Sequence, residues 1–127
     1  MTIRITNFGS CSIDNVYSVP RFAAPGETLP TGRFDVHPGG KGLNQSIALA
    51  RAGANVRHAG RVGRDGEWLK QLLLETGVDT ELLKVVETTS GHAVIQVVPE
   101  GENSIVIFRR GESGNRRGRH RCRHHFV

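Results

Sequence analysis

A chain of 127 residues, 37% of them hydrophobic and 16 of them glycine, makes one ordinary globular domain or a piece of a larger one, since domains run to ~100–200 residues. Its longest apolar runs (Ala93–Ile95, Val97–Val98 and Ile105–Phe108) fall far short of the ~18 residues that a membrane-spanning helix needs. The N-terminus alternates polar with apolar and lacks a secretion-signal core, so no membrane is expected among its partners. The formal charge of +5 does not mark a basic domain: residues 1–108 hold 10 Lys and Arg against 11 Asp and Glu, and residues 109–127 hold seven Arg against Glu112. Cys11 and Cys122 give neither a disulfide framework nor a metal-type spacing, which points to a reducing, cytoplasmic compartment.

Thr2–Phe8 sets Ile3, Ile5 and Phe8 among polar residues, an alternation that predicts an opening strand ended by Gly9 and Ser10. Residues 15–38 contain Pro20, Pro25, Gly26, Pro30, Gly32 and Pro38, which excludes helix and leaves short extended pieces at Val16–Val19 and Arg33–Val36. Gly39-Gly40-Lys41-Gly42 then leads into Leu43–Ala52, where Leu43, Ile47 and Ala50 recur at helical spacing and Gly53 supplies the stop. Val56–Val62 predicts a second strand, and strand–helix–strand is the order of a βαβ unit.

Another helix is expected from Asp65, read as its N-cap. Trp68, Leu69, Leu72 and Leu73 share one face of it, with Trp68 in the core, and Gly77 lies past its end. Gly91–Val98 and Ser104–Phe108 are β-rich runs joined by a glycine-containing loop, the pattern of a hairpin. Residues 109–127 have almost no apolar content and no periodicity, so they are expected to be disordered.

Two places carry chemistry. Gly39–Asn44 is a glycine-rich turn opening a helix, so free backbone N–H groups and the positive helix end face one small volume together with Lys41 and Asn44, a place suited to oxygens. Alternatively, the glycines only turn the chain tightly. It is not a Walker phosphate loop, because the Gly-x4-Gly-Lys-Ser/Thr spacing is missing and Gly42 follows Lys41. Asp14 lies just beyond the expected first strand, at the sheet edge where α/β proteins gather ligands. There it either accepts hydrogen bonds from a polyol or stabilises a turn.

These segments together resemble the N-terminal half of a ribokinase-type (PfkB) carbohydrate kinase. The resemblance is carried by Gly9-Ser10-Cys11-Ser12-Ile13-Asp14, Pro25-Gly26-Glu27-Thr28, Pro38-Gly39-Gly40-Lys41-Gly42-Leu43-Asn44-Gln45 with Ala48 and Gly53-Ala54, and Gly60-Arg61-Val62-Gly63-Arg64-Asp65, in order over residues 3–108. It implies an α/β, three-layer, Rossmann-like sheet, incomplete here, with a small β lid built from 15–38 and 91–108 that closes over a ribose-like sugar. It also implies sugar contacts from Asp14 and Gly39–Asn44, in particular Gly39, Gly40, Lys41, Gly42 and Asn44, and from Ile95 on the lid. Ser12 stands where ribokinases usually have asparagine, and Leu43 where many have alanine.

The implied reaction is transfer of the γ-phosphoryl group of ATP, with Mg2+, to a sugar hydroxyl, which demands positioning and electrostatic stabilisation. The family's catalytic aspartate, anion hole and nucleotide pocket belong to a C-terminal Gly-Ala-Gly-Asp segment that these residues do not contain. No catalytic, nucleotide-binding or metal-binding residue is therefore expected in this chain, which is expected to be inactive alone. The resemblance further implies a homodimer through the lid.

After Phe108 the family usually continues with a segment like Ala-Asn-Gln. One codon choice for Gly111–Asn115, read one base later, encodes Ala-Asn-Gln-Ala-Ile, so a frameshift would explain the arginine-rich tail. The rival reading is a non-catalytic binding module whose arginines contact nucleic acid. No aromatic platform interleaves those arginines, and nucleic acid is not expected as a partner. Nor is a metal expected at His120, Cys122, His124 and His125, which would crowd charge around a cation.

Overall fold

The computed structural model describes residues 3–109. The elements run β1 (Arg4–Phe8), β2 (Ser12–Ser18), β3 (Arg33–Gly39), α1 (Lys41–Arg51), β4 (Asn55–Gly63), a 3-10 turn (Arg64–Gly66), α2 (Glu67–Glu75), β5 (Leu83–Val86), β6 (His92–Val97) and β7 (Asn103–Phe108). The expectations for the tail (disorder, frameshift, nucleic-acid contact and the His/Cys cluster) fall on 110–127, outside the described residues, with Arg109 alone at the border.

The strands form two sheets. β1, β4 and β5 make a parallel sheet in the order β1-β4-β5, with Arg4 opposite Asn55 and Gly60 opposite Leu83. β1–α1–β4 and β4–α2–β5 are successive crossovers in one direction, and such crossovers are of one hand, so both helices fall on one face. Leu43 of α1 and Leu69 and Leu73 of α2 accordingly meet Val56, Val62 and Leu83 in one buried cluster. On β1 the alternation turns Ile5 and Asn7 toward the helices and Thr6 and Phe8 away, and Phe8 is 84% exposed.

The second sheet is the lid, in the order β3-β2-β6-β7. It leaves the body between β1 and α1 and again after β5. β2 pairs antiparallel with β3 and parallel with β6, and β6 and β7 form the expected hairpin. The lid is fastened to the body through side chains as well. The Ser90 hydroxyl accepts the Gly63 N–H (2.8 Å) and donates to Asp65 (2.7 Å), which also accepts the Ser90 N–H (3.0 Å).

Three expectations need correcting. Asp14 is not beyond a strand but inside β2, which begins at Ser12. Its polar Ser-x-Asp-Asn run carries no strand signal of its own, and pairing on both edges imposes the conformation. Asp65 is not the N-cap of α2. Gly66 is, and the Asp65 carboxylate is engaged by Ser90. Trp68 is 38% exposed and not in the core: α2 has nine residues and buries Leu69 and Leu73, an i,i+4 pair, which leaves the position one residue earlier rotated ~100° off the buried face. β5 lies in a stretch with no clear alternation, Leu-Lys-Val-Val, and owes its conformation to the β4 edge.

The joint between lid and body is backbone against backbone. A Cβ on Gly42 would lie 2.5 Å from Gly9 Cα and 2.6 Å from the Ser10 nitrogen, whereas one on Gly53 would meet nothing within 4 Å. Helix propensity alone would make Gly42→Ala stabilising by roughly 1 kcal/mol. The contact reverses the sign, and denaturant unfolding is expected to show Gly42→Ala losing about 1–3 kcal/mol. Gly53→Ala, penalised only by its positive φ of 87°, is expected to lose about 1–2 kcal/mol.

Candidate functional site

β2, β3 and the first turn of α1 converge where the lid meets the body. Ser12 lies opposite Gly39 and Asp14 opposite His37 across the β2–β3 ladder. A Cβ on Gly39 would sit 2.6 Å from Asp14 Oδ2, so the carboxylate rests against the glycine backbone in its present position only because no side chain stands there. Gly40 turns the chain at φ 100° and caps α1 without a side chain. Its own Cβ would lie 2.9 Å from the Ser10 carbonyl carbon.

The Ser10 carbonyl accepts the Leu43 N–H (3.0 Å), and the Gly40 carbonyl accepts the Asn44 N–H (3.1 Å). The Lys41 and Gly42 N–H groups, in the first turn of the helix, have no intrahelical acceptor. Lys41 and Asn44 are exposed on that same turn.

Asp14 is half-buried, and burial raises its pKa above the usual carboxylate range, while the charge of His37 opposes that rise. No group among the described residues donates a hydrogen bond to it, so its oxygens are free to accept from a ligand. Ser12, Asp14, Gly39, Gly40, Lys41, Gly42 and Asn44 thus share one small region.

Ile95 is set apart from them but on the same lid face as Asp14. It pairs with Val16 on β2 and with Ile105 on β7, and it is half-buried. The step from Asp14 to Val16 spans two strand residues, about 7 Å along the strand. The arrangement offers a carboxylate acceptor, amide and ammonium donors and an apolar surface, the set a polyhydroxyl ring requires.

Sequence reasoning missed four neighbours. His37 faces Asp14 only through register, which no local pattern reveals. Half-buried Asn7 and buried Ser46 and His58 form a polar group beneath the turn. His58 shares the period-2 phase of Val56 and Val62, and that phase was the available signal for its burial. The Cys11 thiol lies 3.2 Å from His58 Nε2 and is pushed up by burial to about 12, so it stays protonated and is no nucleophile.

A layered α/β body with a four-stranded lid and a glycine turn facing a strand carboxylate defines a sugar-kinase-type scaffold. The profile of the pfkB family carbohydrate kinases matches residues 2–120, and the chain belongs to that family. It is 42% identical over 106 residues to a ribokinase of Haemophilus influenzae, covering 81% of this chain and 35% of that protein. It is 43% identical over 104 residues to a ribokinase of Bacillus subtilis, covering 80% and 35%. Among solved structures, the ribokinase of Cryptococcus neoformans in complex with ADP superposes with a TM-score of 0.77 at 43% identity, over 83% of this chain and 34% of that one. The Arabidopsis thaliana ribokinase complexed with ribose and ATP gives 0.73 at 29% identity, over 85% and 36%. The chain therefore has the ribokinase fold in incomplete form and spans about a third of the length of these relatives. None of the helices among the described residues is long and apolar enough to cross a membrane.

The raised pKa of Asp14 has a consequence for stability. A carboxyl that binds its proton more tightly when folded than when unfolded loses stability as pH rises through its folded pKa. Near neutral pH its ionised form therefore opposes folding, and Asp14→Asn is expected to raise the melting temperature of the free chain at pH 7, with the gain shrinking as the pH is lowered toward 4.

Proposed function

We propose that this chain is the sugar-binding part of an ATP-dependent carbohydrate kinase that acts on a ribose-like sugar. The observation that carries the proposal is the half-buried Asp14 carboxylate, held against Gly39 with no donor among the described residues and beside the amide-rich turn. Asp14 accepts hydrogen bonds from two sugar hydroxyls. The backbone of Gly39, Gly40 and Gly42, with Lys41 and Asn44, supplies the opposing donors, Ser12 reaches the rim, and Ile95 packs on the apolar face of the ring. Supporting this, the relatives named above are ribokinases, one of them complexed with ribose and ATP.

Such a site contributes orientation: it holds one hydroxyl fixed for phosphoryl transfer and so lowers the entropic part of the barrier. ATP, which the family uses with Mg2+, does not suit the glycine turn of this part of the fold. The glycine turn is met by the Asp14 carboxylate, whose charge repels a polyphosphate. The catalytic aspartate and anion hole belong to a segment outside this chain, and two copies pair through the lid sheet.

Titration calorimetry with ribose and related pentoses and hexoses is expected to give heat of binding with at least one sugar. Asp14→Ala is expected to weaken it about tenfold or more, the loss that goes with hydrogen bonds to a charged acceptor. The chain mixed with ribose, ATP and Mg2+ is expected to form no sugar phosphate. Absence of heat with every sugar, or unchanged affinity in Asp14→Ala, would refute the assignment.

A further inference from the structure

Beneath the glycine turn runs a chain of hydrogen bonds, buried at Ser46–His58 and part-buried at its ends, that sugar binding does not use directly. Asn7 Nδ2 donates to the Gly42 carbonyl (2.8 Å) and to Ser46 Oγ (2.9 Å). Ser46 Oγ lies 2.8 Å from His58 Nδ1, and His58 Nε2 lies 3.2 Å from the Gly9 carbonyl. Ser46 and His58 are fully buried. Both ends of the chain are carbonyls, which only accept, so a proton on His58 Nε2, facing the Gly9 carbonyl and the Cys11 sulfur (3.2 Å each), fixes the direction of the other bonds. The Asn7 amide nitrogen must face Gly42. Ser46 Oγ, already accepting from Asn7, must donate to a bare Nδ1, and the proton of His58 must sit on Nε2 to reach Gly9.

The two carbonyls so joined belong to Gly9 and Gly42, the residues whose backbones touch where the lid meets the body. Gly9 opens the segment that leads to Asp14, and Gly42 lies in the amide turn. We infer that His58 is a positioning residue of the sugar site: through Ser46 and Asn7 on one side and Gly9 on the other, it sets the spacing between the Asp14 strand and the Gly39–Asn44 turn. The inference rests on the sugar-site reading above for its functional meaning, but the positioning itself is independent of which ligand binds.

A second proton on His58 would reverse the Ser46 bond, with Nδ1–H donating to Oγ, and the Ser46 hydroxyl proton would lose its acceptor in this chain. The surroundings oppose that proton too. Burial lowers the His58 pKa, with the Gly9 carbonyl opposing. The groups bonded to the imidazole from β1, the Gly9–Cys11 connection and α1 are Asn7 through Ser46, the Gly9 carbonyl, the Cys11 thiol and Ser46, none of them charged. A base whose folded pKa is depressed contributes fully above its unfolded pKa, about 6.5 for histidine, and loses stability as pH falls below it.

Ring-nitrogen NMR of the 15N-labelled chain at pH 7.5 is expected to show His58 as the Nε2–H tautomer, and the Nδ1–H tautomer would overturn the inference. Hydrogen exchange then tests positioning in two variants, His58→Phe, which keeps the ring volume, and Ser46→Ala, which leaves β4 untouched. In each, the Leu43 and Asn44 amides are expected to exchange about fivefold faster or more relative to those of α2, the effect of losing about one hydrogen bond. Uniform acceleration across the chain, or none, would reduce His58 to core filling and overturn the inference. Should the parent chain bind no sugar, the proposed function falls while the exchange result still decides the positioning role. Where sugar binds, affinity in Ser46→Ala is expected to drop about fivefold, and an unchanged value would likewise overturn the inference.

Discussion

Contact between bare backbones at Gly9, Gly40 and Gly42 is the constraint on which the remaining geometry depends. Side chains at these positions would collide with main-chain atoms that have nowhere to move. With hydrogen there, the β1–β2 connection can lie directly on the first turn of α1, and the Ser10 carbonyl reaches the Leu43 N–H. The strand bearing Asp14 and the turn bearing the open amides become neighbours because nothing stands between them. The same logic repeats at Gly39, where the missing Cβ is the space that the Asp14 carboxylate occupies.

Two polar groups in this region behave in opposite ways, and the difference separates scaffold from site. The Asn7–Ser46–His58 group, with Ser46 and His58 buried and Asn7 half-buried, is neutral and supplied with a partner for each proton in the chain, as buried polar atoms must be if they are not to oppose folding. Asp14 is half-buried, ionisable and lacks a donor among the described residues. A folded protein carries such a group at a cost in stability, which the proposed function offsets through hydrogen bonds from sugar hydroxyls. The satisfied group lies under the turn and the unsatisfied one faces out of it, so rigidity and binding capacity are supplied from opposite sides of one short segment.

Among the described residues the body has one helical layer. α1 and α2 cover the face of β1, β4 and β5 that carries Val56, Val62 and Leu83, while Phe8 projects from the other face largely exposed. Parallel sheets are normally covered on both faces, and the relatives matched are about three times as long. The lid, by contrast, has four strands among the described residues, with Tyr17 stacked on Phe34 and His92 on Phe108 across them.

Much of the body was legible in the residues themselves, because it rests on local signals. Alternation marks β1 and β4, helical spacing of Leu43, Ile47 and Ala50 marks α1, and Gly53 and Gly77 end the helices at positive φ. The family motifs also placed Asp14 and the Gly39–Asn44 turn as partners. What only the tertiary structure decided are features made by pairing between distant segments. The β2–β3 register sets Asp14 opposite His37, the β4 edge turns Leu83–Val86 into a strand, and the partnership of Asp65 with Ser90 leaves the helix cap to Gly66. The phase of α2, set by the burial of Leu69 and Leu73 against the sheet, turns Trp68 outward. Local sequence carries propensity and period, which act over a few residues, whereas register and burial arise from contacts between residues tens of positions apart, and no window along the chain contains both members of such a pair.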